Sequence, residues 1–325
     1  VKSVPDHSPP PTTEQVAAAN RECRRIATGH YENFLVASVL LPRAMRQPFY
    51  HLYAFCRMAD DLADESATPQ AALAGIAEFR EQVRRVFEGG ELKGIFIALA
   101  QTVDQFDLPR KPFDDLLDAF VDDQSVHRYQ DEAQLLDYCR RSANPVGRLV
   151  LALAAADSAG SDDETNQRLS DEICTGLQLA NFWQDVARDY QIGRIYLPRS
   201  VMLRHGFDES QFRSILDQRR STPMPVRAAI AEQCAIARTK FESGKALIGR
   251  VPSWLAADVE LFIRGGLATL DAIERIDYDV VRERVRVGKL RQAWLVGSVF
   301  LRNSIWPGRS SSATSQVPQT MGGDV

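Results

Sequence analysis

The chain lacks most of the features that would assign it quickly. Its five cysteines, Cys23, Cys56, Cys139, Cys174 and Cys234, are odd in number, widely spaced and without a CxxC pair. That argues against a disulfide framework or a zinc site and fits a reducing compartment. The five histidines form no HExxH or other ligand spacing. There is no long basic block, and the formal net charge of -4 does not suggest a nucleic-acid binder. The longest uninterrupted aliphatic run, Leu149 to Ala156, falls far short of the roughly 20 residues that span a bilayer. The N-terminus shows no signal-peptide pattern. A cytoplasmic protein is expected, with peripheral contact at the inner membrane surface left open. Alternating apolar residues between turn signals are missing, so no sheet is expected. No repeat of fixed period points to a solenoid.

What is present is helical pattern of ordinary globular composition, 45% hydrophobic and 25% charged. "TTEQVAAANRECRRIA" opens with a capping-box-like Thr and Glu. "QPFYHLYAFCRMADDLADE", "LAGIAEFREQVRRVF", "PFDDLLDAFVDD" and "SDEICTGLQLANFWQDVARDY" all repeat apolar residues at three and four. The same period continues through "AADVELFIRGGLATLDAIERI". Residues 1–14 and 304–325 are Pro-rich or polar and are expected to be disordered tails. Residues 15–303 are expected to form one all-α domain of many helices.

Two of these helices carry acids where acids are unexpected. In "GLQLANFWQDVARDYQIGRIYLP", Gln178, Asn181, Asp185 and Asp189 are spaced by three, four and four. On a helix they share one stripe among Leu177, Leu179, Phe182, Trp183 and Val186. "YAFCRMADDLADE" repeats the device with Tyr53, Arg57, Asp60 and Asp64, with Asp61 alongside. A solvated face is the bland alternative, since Asp is rarely buried unpaired. No row of lysines answers these acids at i+4, and a solvated helix face would use Glu and Lys more readily. Divalent metal is the sharper reading. Mg²⁺ takes oxygen ligands, usually one or two carboxylates, and completes its octahedron with water and substrate phosphates. Two facing stripes would then bind a diphosphate through the metal and stabilise it as it departs. Arg57 and Arg194 are suited to clamp outer phosphate oxygens.

These two motifs, in this order and followed by "GRIYLP", resemble the squalene and phytoene synthase family from about His30 to Lys289. The resemblance implies a single isoprenoid-synthase-type helical domain around a central cavity. It implies that Asp60, Asp64, Asp185 and Asp189, with Asn181, hold Mg²⁺, and that Gln178 and Asn181 line the reaction cavity. Tyr53, Arg57, Arg194 and Tyr196 would lie near the substrate diphosphate. "GHYENFLVASVLLP" and "LLDYCRRSANPVGRLVL" look most like the hydroxysqualene synthase branch of hopanoid pathways. In that branch presqualene diphosphate ionises and water captures the cation. His30, Asn33, Phe34 and Tyr138 fall in these stretches as candidate substrate or catalytic contacts. Asn33, Gln178, Asn181 and Tyr138 are candidates to hold the water. NADPH is not expected, although reductive family members also lack a GxGxxG loop. One position departs from the family: Gly266 stands where many members carry a Tyr, near the family-like Arg264.

Other assignments remain open at this level. Head-to-head coupling of two farnesyl diphosphates, giving presqualene diphosphate, squalene or a phytoene-type product, is the alternative reaction. A non-catalytic helical scaffold is the alternative class, against which the two intact Asp pairs speak. "DDQSVHRY" (122–129) holds more carboxylates but lies off the stripes and reads as a helix end and loop. "RVRVGKLRQAW" is basic and amphipathic, suited to a solvated helix or to a membrane surface. Companion enzymes of a squalene pathway are the expected protein partners.

Overall fold

A computed structural model describes residues 10–29, 41–155, 163–218 and 221–282. Every regular element among them is helical. Three candidate contacts, His30, Asn33 and Phe34, lie outside the described residues, as do the basic amphipathic segment and the expected C-terminal tail. The first half holds α1 (Thr13–Gly29), α2 (Arg43–Asp64), α3 (Pro69–Glu88), α4 (Ile95–Phe106) and α5 (Lys111–Asp122). Then come α6 (Glu132–Ser142), α7 (Asn144–Ala155) and the long α8 (Asp163–Gln191). The rest is α9 (Arg199–Arg204), α10 (Glu209–Gln218), α11 (Met224–Gly244), a 3₁₀ turn (Lys245–Gly249) and α12 (Ser253–Arg275).

Local chemistry accounts for the boundaries. The capping box of α1 uses Thr12 and Gln15 in place of the expected Thr and Glu. The Gln15 N–H donates to Thr12 Oγ1 at 3.2 Å, and Gln15 Oε1 accepts from the Thr12 N–H at 2.7 Å. The helix therefore starts at Thr13, inside the stretch expected to be a tail. Thr68 caps α3 ahead of Pro69, and Asp131 caps α6.

Two apolar clusters form the core. The first gathers α1 to α5 with Leu149 and Leu153 of α7, around the packed rings of Phe55, Phe79, Phe96 and Phe113. The second gathers α6 and α8 to α12 around Trp183, Phe212 and Phe241. Val150 and Trp254 touch both, so the seam between the clusters runs through the interior. His51 ties the first half together: Nδ1 meets Thr102 Oγ1 at 2.6 Å and Nε2 meets Asn20 Oδ1 at 2.7 Å. Burial pushes its pKa down to about 4, so it is a neutral structural histidine.

The unusual Gly266 has a packing reason. The fully buried Phe241 ring of α11 lies between Gly176 of α8 and Gly266 of α12. A Cβ on Gly176 would stand 3.1 Å from the ring, and one on Gly266 would collide with it. A tyrosine at 266 cannot coexist with Phe241 in this packing. Gly266→Ala is expected to destabilise the fold by about 1–3 kcal/mol through overpacking. Urea unfolding should show this loss, and the double variant with Phe241→Leu should recover part of it.

Candidate active site

The last two turns of α2 carry the first stripe. The Arg57 guanidinium lies along it, 3.3 Å from Asp60, in contact with Asp61, and 3.4 Å from Glu65. Tyr53 sits one turn earlier, half-buried. Burial and then the neighbouring Asp64 charge push the Asp60 carboxyl up to about 6, with Arg57 opposing them. Four charges of one sign crowd this end of α2, and one arginine of that helix answers them.

The second stripe is at the C-terminal end of α8. Asp185 departs from helical geometry, at φ -107° and ψ 15°, and kinks the helix within the motif. Gln178 is half-buried and Asn181 exposed, two turns and one turn before the kink. After Gln191 the chain turns through Gly193, whose φ of 85° suits glycine. The Arg194 N–H then donates to the Asp189 carbonyl at 2.8 Å. This turn sends the Arg194 side chain across the seam, where Nη2 donates to Asp64 Oδ1 at 3.1 Å. One ion pair between residues 130 apart thus joins the first stripe to the segment that follows the second.

Beside that pair is a wall of aromatic rings. Phe182 stacks on Tyr196 with centroids 3.7 Å apart and planes at 11°. Tyr129 stacks on Tyr196 at 5.7 Å, and Tyr138 lies 6.1 Å from Tyr196. Tyr138, Tyr129 and Tyr196 are all buried. The Tyr138 hydroxyl donates to Asp123, which is 8% exposed. Burial pushes the Asp123 carboxyl up to about 6, against the pull of Arg194 and Tyr138. Burial also opposes the Arg194 charge, but Asp123, Tyr196 and Asp64 hold it protonated.

Asp123 and Tyr129 were not singled out in the sequence, where 122–129 reads only as a helix end and loop. That description of the backbone holds, but its side chains belong to the site. The loop runs along the "GRIYLP" segment: the Ile195 N–H donates to the His127 carbonyl at 3.1 Å and Arg199 N–H to Tyr129 at 2.9 Å. The Tyr129 hydroxyl has no hydrogen-bond partner among the described residues. The available signal was the buried-type tyrosine following an acid pair, which helical periodicity cannot register.

The residues suit a hard divalent cation. Among the described residues no three His, Cys, Asp or Glu side chains converge on one point. Two carboxylate pairs, one on α2 and one on α8, still match Mg²⁺, which takes few protein ligands and shares the rest of its shell with water and phosphate. The raised Asp60 carboxyl marks a place where added positive charge would be favourable. Asp60 and Asp64 of α2, and Asp185 and Asp189 of α8, would hold it.

Similarity to known proteins agrees with this geometry. The squalene/phytoene synthase family model matches residues 27–291. A 15-cis-phytoene synthase of Synechococcus elongatus is 28% identical, over 89% of this chain and 95% of its own. A hydroxysqualene synthase of Sinorhizobium fredii is 28% identical, over 80% of this chain and 84% of its own. The crystal structure of squalene synthase HpnC from Alicyclobacillus acidocaldarius superposes with a TM-score of 0.75 at 41% identity. That match covers 82% of this chain and 97% of the other. The fold is the isoprenoid-synthase helical fold, and the chain belongs to the squalene/phytoene synthase family.

Proposed function

We propose that this chain ionises presqualene diphosphate with Mg²⁺ and lets water capture the cation, giving hydroxysqualene and diphosphate. The observation that carries the diphosphate part is the Arg194–Asp64 pair, which ties the first acid stripe to the turn that follows the second. Family enzymes use prenyl diphosphates and generally depend on Mg²⁺. The ion would supply positive charge to the departing diphosphate oxygens. Arg57 and Arg194 bind and orient the same group. The rings of Phe182, Tyr196, Tyr129 and Tyr138 offer faces that favour a cation without trapping it. Tyr138, held by Asp123, together with Gln178, Asn181 and Asn33, gives the water its polar partners. The apolar seam excludes other water.

The water-capture branch rests on the "GHYENF" and "CRRSANPVGRLVL" stretches and on the likeness to hydroxysqualene synthases. Coupling of farnesyl diphosphates is the second reading, supported by phytoene synthase relatives that align along most of the chain. Product analysis separates them. With presqualene diphosphate in heavy-oxygen water, the label is expected in an alcohol product, with NADPH making no difference. Squalene formed only with NADPH, or phytoene-type products from prenyl diphosphates alone, would show the other branch. No helix among the described residues is long and apolar enough to cross a membrane. Contact with a membrane surface through the basic segment, and with companion enzymes that supply or consume these apolar molecules, completes the proposal.

A further inference from the structure

The turn that delivers Arg194 is held by an arginine that belongs to neither stripe. Gly193 takes a φ of 85°, and a Cβ placed on it would meet nothing within 4 Å. Beside the turn is an open cleft of about 450 Å³, whose lining includes Arg128, Tyr190, Gln191 and Gly193. Packing from that side does not press the turn into shape. Its conformation rests on hydrogen bonds, and Arg128 supplies one to the Gly193 carbonyl.

Arg128 Nη1 donates to the Gly193 carbonyl and to the His127 carbonyl, each at 2.7 Å. Its Nε donates to Glu209 Oε1, at the start of α10, at 2.6 Å. One guanidinium thus links the 122–129 loop, the Gly193 turn and α10. The peptide group between Gly193 and Arg194 is gripped at both ends. Its C=O accepts from Arg128, and its N–H donates to the Asp189 carbonyl at 2.8 Å. The next N–H, that of Ile195, donates to the same His127 carbonyl that Arg128 binds. Arg194 stands between these held planes, so they set the direction in which its side chain leaves the main chain. That side chain must still reach Asp64 across the seam. Misplacing a group that orients substrate by about 1 Å costs up to about 100-fold in rate.

We propose that Arg128 is a positioning residue for the diphosphate clamp: by holding the Gly193–Arg194 peptide it fixes where Arg194 meets the leaving group. This rests on Arg194 binding the substrate diphosphate. Arg128 Nε and Nη1 are turned to Glu209 and to main-chain carbonyls, so the effect reaches the substrate through Arg194. The role needs a guanidinium. Its planar fork serves three acceptors at once, whereas a lysine ammonium is one point charge on a flexible stem.

The test is calorimetric binding of inorganic diphosphate with Mg²⁺ to the full chain, in a double-mutant cycle of Arg128→Ala and Arg194→Ala. Arg194→Ala is expected to weaken binding by about tenfold or more, and Arg128→Ala by about three- to tenfold. In the Arg194→Ala background, Arg128→Ala should add less than about twofold, because the group it positions is gone. Arg128→Lys keeps the charge without the fork and should follow Arg128→Ala through the same cycle. It decides the question if the alanine variant does not fold. Wild-type affinity in either variant at 128 overturns the proposal. So does a loss that persists in full in the Arg194→Ala background, which is the mark of a general structural effect. A wild-type chain that does not bind diphosphate, or an Arg194→Ala variant that binds it as the wild type does, overturns the clamp reading itself, and the positioning role with it.

Discussion

Asp64→Asn and Asp189→Asn are each expected to lower turnover of the prenyl diphosphate by about two to three orders of magnitude. Chelating divalent metal should abolish turnover. The reason is charge rather than shape, because Asn keeps the volume and one oxygen of Asp. Losing one negative charge weakens the metal that must stabilise diphosphate as it leaves. Asp64→Asn also releases Arg194, whose Nη2 now spends a hydrogen bond on Asp64 at 3.1 Å. The fold should be indifferent: the Asp64 side chain is 47% exposed, and exposed ion pairs add little stability. Steady-state kinetics with thermal unfolding of each variant checks both parts. Near-normal rates would return the stripes to solvated faces, and variants that fail to fold would make the acids structural.

Stability should fall as pH rises between about 4 and 8, and Asp258→Asn should remove much of that slope. In the unfolded chain Asp258 ionises near its ordinary 3.8, whereas in the folded chain burial on α12 pushes it up to about 8. Between those values the folded state binds more protons than the unfolded one. The derivative of unfolding free energy with pH is then negative. Stability from this site is complete below the lower value, drains away across the window and is level above the upper one. The full swing is of the order of several kcal/mol, an upper figure because unfolded chains also bury surface. Asp60 and Asp123, both pushed up to about 6, act in the same direction over a narrower span. His51, pushed down to about 4, acts in the opposite direction below neutrality. Subtracting the variant's urea-derived curve from that of the wild type cancels these shared contributions. A difference curve that is flat from pH 5 to pH 8, on the order of the buffer range used, would show that Asp258 is solvated or paired.

Helical spacing made the two stripes readable, because residues three and four apart must share a face whatever packs on them. The same logic placed Arg57 beside Asp60 and Tyr53 one turn away. It could not show that Arg194 spans the seam, since that depends on the Gly193 turn and on where α2 ends. Asp123 and Tyr129 stayed hidden for a related reason. Asp123 caps the end of α5 and Tyr129 sits in the following loop, so neither shares a periodic face with the stripes. Gly266 looked like a lost functional group until Phe241 was seen in its place. Asp258 carried no sequence signal because an acid preceded by two alanines and followed by Glu260 reads as an ordinary helix surface. Trp183, beside the second stripe, is fully buried, and Phe182, also buried, stacks on Tyr196.

Three hydrogen bonds that pair the 127–130 loop with the 195–200 segment are main-chain: Ile195, Arg199 and Ser200 N–H groups donate to the carbonyls of His127, Tyr129 and Gln130. Every residue has a carbonyl, so these three hydrogen bonds make no demand on which side chains stand there. The division of labour leaves Tyr129, Tyr196 and Arg194 free to be chosen for chemistry alone. Deuterium exchange offers a direct view of it. The amides of Ile195, Arg199 and Ser200 should exchange as slowly as those in the neighbouring helices, though they lie at or beyond helix ends. Tyr129→Phe should leave that protection intact while altering turnover.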